Sequence, residues 1–237
     1  MKLHFRQIGD SGKPLVVLHG LFGSSDNWQT LGKRFAEDHR VFLVDQRNHG
    51  RSPHTEEFSY ELMANDLQIF IEDQGLDDVI LLGHSMGGKT AMLFAEKYPD
   101  YLNKLIVVDI APKAYPPHHD LIIKALNETE IEGASSRSEI QRQMHEHIQD
   151  PVVIQFLMKN LYRKDKETFA WRINIPTLTR SMAEILREFD ALSVDIPSRF
   201  IRGERSNYIL DADFDRIKLQ FPWSEIKTIE GAGHWVH

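Results

Sequence analysis

No cysteine occurs among the 237 residues, which excludes a disulfide framework, a thiolate nucleophile and any zinc site built on sulfur. No segment approaches the roughly 18 consecutive apolar residues of a membrane span, and the run Leu15-Val16-Val17-Leu18 is too short for the core of a secretion signal. Positive charge is also scarce: 28 Lys and Arg stand against 35 Asp and Glu, for a formal net charge of −7. That balance offers neither a basic face for a nucleic-acid backbone nor a polybasic membrane anchor. What remains is an ordinary globular composition, 41% hydrophobic and 27% charged, in a length that suits one α/β domain with or without an inserted subdomain. The expectation is a cytoplasmic protein whose partner is a small molecule; oligomeric state is not legible.

Four apolar runs end in turn residues. Leu15-Val16-Val17-Leu18 precedes His19-Gly20, and Val41-Phe42-Leu43-Val44 precedes Asp45. Val79-Ile80-Leu81-Leu82 precedes Gly83, and Leu105-Ile106-Val107-Val108 precedes Asp109. Continuous rather than alternating apolar character marks parallel strands covered by helices on both faces. Phe200-Ile201 and residues 225–229 are weaker, later candidates. Apolar residues at Leu62, Met63, Leu67, Phe70 and Ile71 keep helical spacing and predict a helix over 60–74. A second helix is predicted over 86–98, stopping before Pro99. The alternation predicts an α/β fold with a doubly wound, mostly parallel sheet. After Asp109 the rhythm breaks. From Pro112 to about Asp190 there are only helical patches, over 121–127, 138–148, 152–162 and 179–189. The expectation is a helical cap over 112–176, inserted into a core of residues 1–111 and 177–237.

The most specific feature is Gly83-His84-Ser85-Met86-Gly87-Gly88, between a predicted strand and a predicted helix. A G-x-S-x-G sequence in that context is a sharp strand-to-helix turn that exposes a nucleophilic serine, with small neighbours to avoid clashes. The Met86 N–H then lies at a helix N-terminus, where free donors favour negative charge. The loop His19-Gly20-Leu21-Phe22-Gly23 after the first buried strand supplies the second donor expected around a tetrahedral oxyanion. Leu21 is the candidate and Phe22 the alternative. His19 reads as a buried histidine that shapes this loop.

A serine hydroxyl needs a base. Among twelve histidines, His234 stands out, because Gly231-Ala232-Gly233-His234-Trp235 follows the last strand candidate and obeys the chain order serine, acid, histidine. Asp109 is the favoured acid, as it ends the strand that follows the elbow helix; Glu204, Asp211 and Asp213 are alternatives. His118-His119-Asp120 and His145-x-His147 lack a third ligand at a telling spacing, so neither metal nor cofactor is expected. Phe22, Phe156 and Trp235 are candidate substrate contacts. Arg163, Lys164 and Lys166 are candidates for a phosphate-bearing carrier.

Together, residues 19–23, Asp45-Gln-Arg-Asn-His-Gly-Arg-Ser52, residues 83–89, Val108-Asp-Ile-Ala-Pro112 and residues 231–237 resemble the α/β-hydrolase superfamily, and more closely the bacterial YbfF-type esterases. The resemblance spans essentially the whole chain, least distinctly in the insert. It implies that Asp109 is the acid, since Ser206 stands where many relatives carry an aspartate. It also implies a four-helix cap and cleavage of acyl esters or thioesters through an acyl-enzyme. The superfamily continues past the histidine loop with an Ala-Glu-x-Pro stretch and a closing amphipathic helix, so a longer polypeptide is expected than the three residues after His234. The same trio also serves lyases and carbon–carbon bond hydrolases, and the fold serves pure ligand binders.

Overall fold

The computed structural model describes residues 1–165, 168–190 and 192–236. The chain opens with strands β1 (Phe5–Ile8) and β2 (Lys13–Leu18), then helix α1 (Gln29–Phe35) and β3 (His39–Val44). Next come α2 (Tyr60–Asp73), β4 (Val79–His84), α3 (Met86–Lys97) and β5 (Leu102–Val108). An insertion follows: α4 (Asp120–Glu128), α5 (Arg137–His145), α6 (Pro151–Met158), a hairpin of β6 (Leu161–Arg163) and β7 (Phe169–Trp171), then α7 (Ile175–Arg180) and α8 (Met182–Leu186). The core resumes with β8 (Ser198–Gly203), α9 (Phe214–Gln220) and β9 (Ser224–Ile229).

Among the described residues, seven strands form one sheet in the order β1-β3-β2-β4-β5-β8-β9. Only β1 runs antiparallel, against β3; all other pairs are parallel. The continuous apolar runs are the central strands: Val16, Val17 and Leu18 are at most 1% exposed, as buried parallel strands require. Strand β1 carries no such run, because at the sheet margin Phe5, Arg6 and Ile8 are only partly buried and Gln7 is exposed. Helix α2 begins at the Ser59 cap, whose hydroxyl accepts the Leu62 N–H at 3.2 Å, and buries Met63, Leu67, Phe70 and Ile71.

Register brings the carboxyl ends of the central strands level. Leu18 pairs with Gly83, His84 with Val108, and Val108 with Ile201. The residues just past these pairs, Ser85 and Asp109, therefore emerge side by side on one edge, where open α/β sheets bind their ligands.

In the insertion, the helix expected over 152–162 is shorter. It ends at Met158, and Leu161 and Tyr162 pair instead with Trp171 and Ala170. The patch over 179–189 is two short helices broken at Ser181, and the expected cap limit at 176 falls inside α7.

Candidate active site

Ser85 joins β4 to α3 with φ 51° and ψ −119°, a left-handed conformation that costs a non-glycine residue on the order of 1–3 kcal/mol. The turn is tight enough to dictate its neighbours. A Cβ on Gly83 would lie 2.2 Å from the Gly87 carbonyl oxygen, and one on Gly87 would lie 2.6 Å from that of His19. The Ser85 N–H donates to Val108 O at 3.0 Å, which fastens the elbow to the end of β5.

Asp109, the residue just past that strand, also has positive φ, 51°, and is fully buried. His234 Nδ1–H donates to its Oδ2 at 2.7 Å. The same carboxylate accepts the Gly203 N–H at 3.0 Å on Oδ1 and the Ser206 hydroxyl on Oδ2. The serine that stands where an aspartate is usual thus bonds the aspartate one strand away. The alternative acids are engaged elsewhere. Glu204 accepts the Gly231 N–H, Asp211 pairs with Arg202, and Asp213 pairs with Lys113.

His234 is held from two further sides. His84 Nε2–H donates to its carbonyl oxygen at 3.0 Å, and the Tyr208 ring stacks on the imidazole with centroids 3.8 Å apart and planes 16° apart. Ser85 and His234 line one cavity; among the described residues no hydrogen bond joins the Ser85 hydroxyl to His234. Such contacts commonly tighten only when substrate is bound.

The loop after β2 is organised by two neutral histidines. His19 Nδ1–H donates to Gly20 O at 2.9 Å, and its Nε2 accepts the Gln46 N–H at 3.0 Å. His49 Nδ1–H donates to Arg47 O, and its Nε2 accepts the Phe22 N–H at 3.2 Å. Burial pushes both imidazoles below their ordinary pKa, so both stay in the form these bonds need. Phe22 has φ 59°, and Asn160 Nδ2–H from the insertion donates to its carbonyl at 2.7 Å. The Phe22 N–H is committed to His49, whereas the Leu21 N–H has no partner among the described residues.

The cavity measures about 210 Å³ and is lined by Leu21, Phe22, Ser85 and His234, with Phe156 and Trp235 at 5.6 Å between ring centroids. The described lining contains no Lys, Arg, Asp or Glu. Met86 lines a smaller recess that also reaches Ser85 and Leu21, with Lys89 and Tyr115. Lys89 is 1% exposed; its ammonium donates to Arg187 O and lies 5.1 Å from the Tyr115 ring centre. Burial lowers its pKa to about 7.

Sequence pattern gave no sign of Tyr208 or Asn160, which come from loops and turns without periodicity; His84, the last residue of β4, lies inside the elbow motif but was not singled out. Of the paired histidines, His118 Nε2 accepts the Tyr208 hydroxyl at 2.5 Å and His147 faces Glu128 at 3.6 Å. Among the described residues no three His, Asp or Glu side chains converge as a metal site would need. Arg163 stacks on Phe169 and Lys164 is exposed at the hairpin, while Lys166 lies outside the described residues.

Likeness to known proteins agrees with this geometry. Residues 13–142 match the alpha/beta hydrolase fold family. Esterase YbfF of Escherichia coli strain K12 is 38% identical over 242 residues, covering 100% of this chain and 93% of the relative. The sn-1-specific diacylglycerol lipase ABHD11 of Mus musculus is also 38% identical, over 241 residues, covering 97% of this chain and 78% of that one. A solved structure described as a marine microorganism esterase superposes with a TM-score of 0.97 at 44% identity, covering 100% and 94% of the two chains. A serine elbow at the level edge of a parallel sheet and a full-length likeness to such enzymes lead to one conclusion: the chain belongs to the α/β-hydrolase fold family.

Proposed function

We propose that this chain is a carboxylic ester hydrolase that works through Ser85, His234 and Asp109 and an acyl-enzyme. The observation that carries the reading is the 2.7 Å bond from His234 Nδ1–H to buried Asp109, in a cavity that Ser85 shares. That bond fixes the tautomer with Nε2 as acceptor, so His234 takes the Ser85 proton as the hydroxyl attacks an acyl carbonyl. Asp109 stabilises the imidazolium that forms. The Leu21 and Met86 N–H groups hold the oxyanion, each such donor being worth about 10²–10³ in turnover. His234 then returns the proton to the leaving alcohol or thiol, and water releases the acid by the same route. The likeness to a bacterial esterase and a diacylglycerol lipase supports ester cleavage over the lyase and binding-protein readings.

The cavity supports a substrate class. At about 210 Å³ it is smaller than the roughly 300–1,000 Å³ that hosts drug-sized ligands, which favours small to medium acyl groups. A lining without charged side chains favours a neutral reacting portion against Phe22, Phe156 and Trp235. The insertion between β5 and β8, which brings Phe156 to the lining, is the cap over it. The test is hydrolysis of p-nitrophenyl esters of increasing acyl length by wild type and Ser85→Ala. Turnover with a length optimum in the wild type, lost in the variant, supports the reading; comparable rates in both would refute it.

A further inference from the structure

We infer that Tyr208 is a positioning residue for His234, clamping the imidazole against Asp109 from a site braced by the cap. The inference rests on the reading of His234 as the base. A histidine on a glycine-flanked loop has two soft degrees of freedom, the swing of the loop and the rotation of the ring. The Asp109 bond constrains one edge of the ring, and the His84 bond to the carbonyl constrains the backbone. Neither stops the ring tilting about the Nδ1–Oδ2 axis, and a tilt moves Nε2, the atom that must meet Ser85. The Tyr208 face, 3.8 Å from the imidazole and within 16° of parallel, blocks that tilt.

Tyr208 is itself immobilised at every polar atom. Its N–H donates to Ser206 Oγ at 3.3 Å, and Ser206 bonds Asp109, so backbone and acid belong to one network. Its carbonyl accepts the Tyr115 hydroxyl at 2.7 Å. Its own hydroxyl donates to His118 Nε2 at 2.5 Å, and His118 Nδ1–H donates to Pro116 O at 2.6 Å. Tyr115, Pro116 and His118 all lie in the segment that leads from Asp109 into α4, so this entry segment of the cap sets the ring that sets the base. Burial pushes the phenol up to about 12, keeping it a neutral donor to His118. When the imidazole gains its proton during acyl transfer, the electron-rich face of the phenol lies against the new charge, a favourable contact.

The test compares Tyr208→Leu, Tyr208→Phe and His234→Ala on one ester, with thermal melts and the His234 ring signals followed by NMR. Tyr208→Leu is expected to lower kcat about tenfold, the scale on which small misplacements of reacting groups act, while KM changes little. Its His234 ring protons move downfield as the ring current of Tyr208 is lost. Tyr208→Phe, which keeps the face, recovers most of the kcat that leucine loses. A Tyr208→Leu enzyme with wild-type kcat and unmoved His234 signals overturns the inference, as does a phenylalanine variant no better than the leucine one. A His234→Ala enzyme that still turns over normally would instead remove the underlying reading of the base, whatever Tyr208 does.

Discussion

His234 reaches across 125 residues of sequence to donate Nδ1–H to Asp109 Oδ2 at 2.7 Å. The carboxylate is fully buried and also accepts the Gly203 N–H and the Ser206 hydroxyl. Asparagine at 109 keeps the shape, but with its oxygen held by the Gly203 N–H its amide NH2 faces the imidazole as a donor, so the productive tautomer is lost. Asp109→Asn is expected to lower kcat by about 10³–10⁴ with little change in KM. Steady-state kinetics beside a thermal melt checks this, and a loss under tenfold would move the acid's role elsewhere.

The cap also reaches the other half of the site. Asn160, 2% exposed, donates to Phe22 O and so pins the loop that carries the Leu21 N–H. Asn160→Leu leaves that carbonyl buried without its donor, at a cost of about 1–3 kcal/mol in stability. Because the Leu21 donor then drifts, kcat is expected to fall more than KM rises. Binding of a boronic acid, which mimics the tetrahedral state, should weaken in parallel with kcat. Unchanged boronate affinity would show that the contact only supports the fold.

At the elbow, Gly87→Ala introduces a Cβ 2.6 Å from His19 O and 2.7 Å from Leu18 O. Both neighbours are backbone, so the strain, on the order of 1–3 kcal/mol, must be relieved by parting α3 from β2. The expected result is a lower melting temperature together with loss of most activity. A fully active, equally stable variant would contradict the close approach.

Lys89 gives a pH signature. Its pKa is lowered by burial to about 7, below the ordinary lysine value, so the folded state disfavours the proton. A depressed lysine destabilises fully below the folded value and not at all above the unfolded one. Between about pH 7 and the ordinary lysine value near 10.4, the unfolded chain binds more protons at this site, so its contribution to stability rises with pH. Comparing wild type with Lys89→Met cancels the other titrating groups. Any stability advantage of the methionine variant should be largest near pH 6 and shrink toward pH 10 in paired melts. A difference independent of pH would mean that Lys89 keeps an ordinary pKa.

How much of this was legible in the sequence follows from where each signal lives. The central strands were, because burial on both faces demands unbroken apolar runs such as Val79-Ile80-Leu81-Leu82. Ser85 was, because the elbow's steric demands are local and leave glycines at fixed offsets. The pairing of Asp109 with His234 rests on strand order, which motif context supplies only indirectly, and so the sequence leaves Glu204, Asp211 and Asp213 open beside Asp109. Tyr208, His118 and Asn160 were not legible. Each acts through one side chain on a loop or turn, and neither periodicity nor spacing marks such a residue. The insertion was legible only as helical patches: Leu161 and Tyr162 continue the apolar spacing of α6, yet they pair with β7 once the chain turns at Lys159 and Asn160.

The central claim is that Ser85 is the nucleophile activated by His234. Its most direct test is covalent: treat wild type, Ser85→Ala and His234→Ala with a p-nitrophenyl alkylphosphonate, and locate the adduct by peptide mass spectrometry. The account requires one equivalent of label in wild type, on the peptide carrying Ser85, none in Ser85→Ala and strongly slowed labelling in His234→Ala. Label on another residue, or equal labelling of Ser85→Ala, would contradict it.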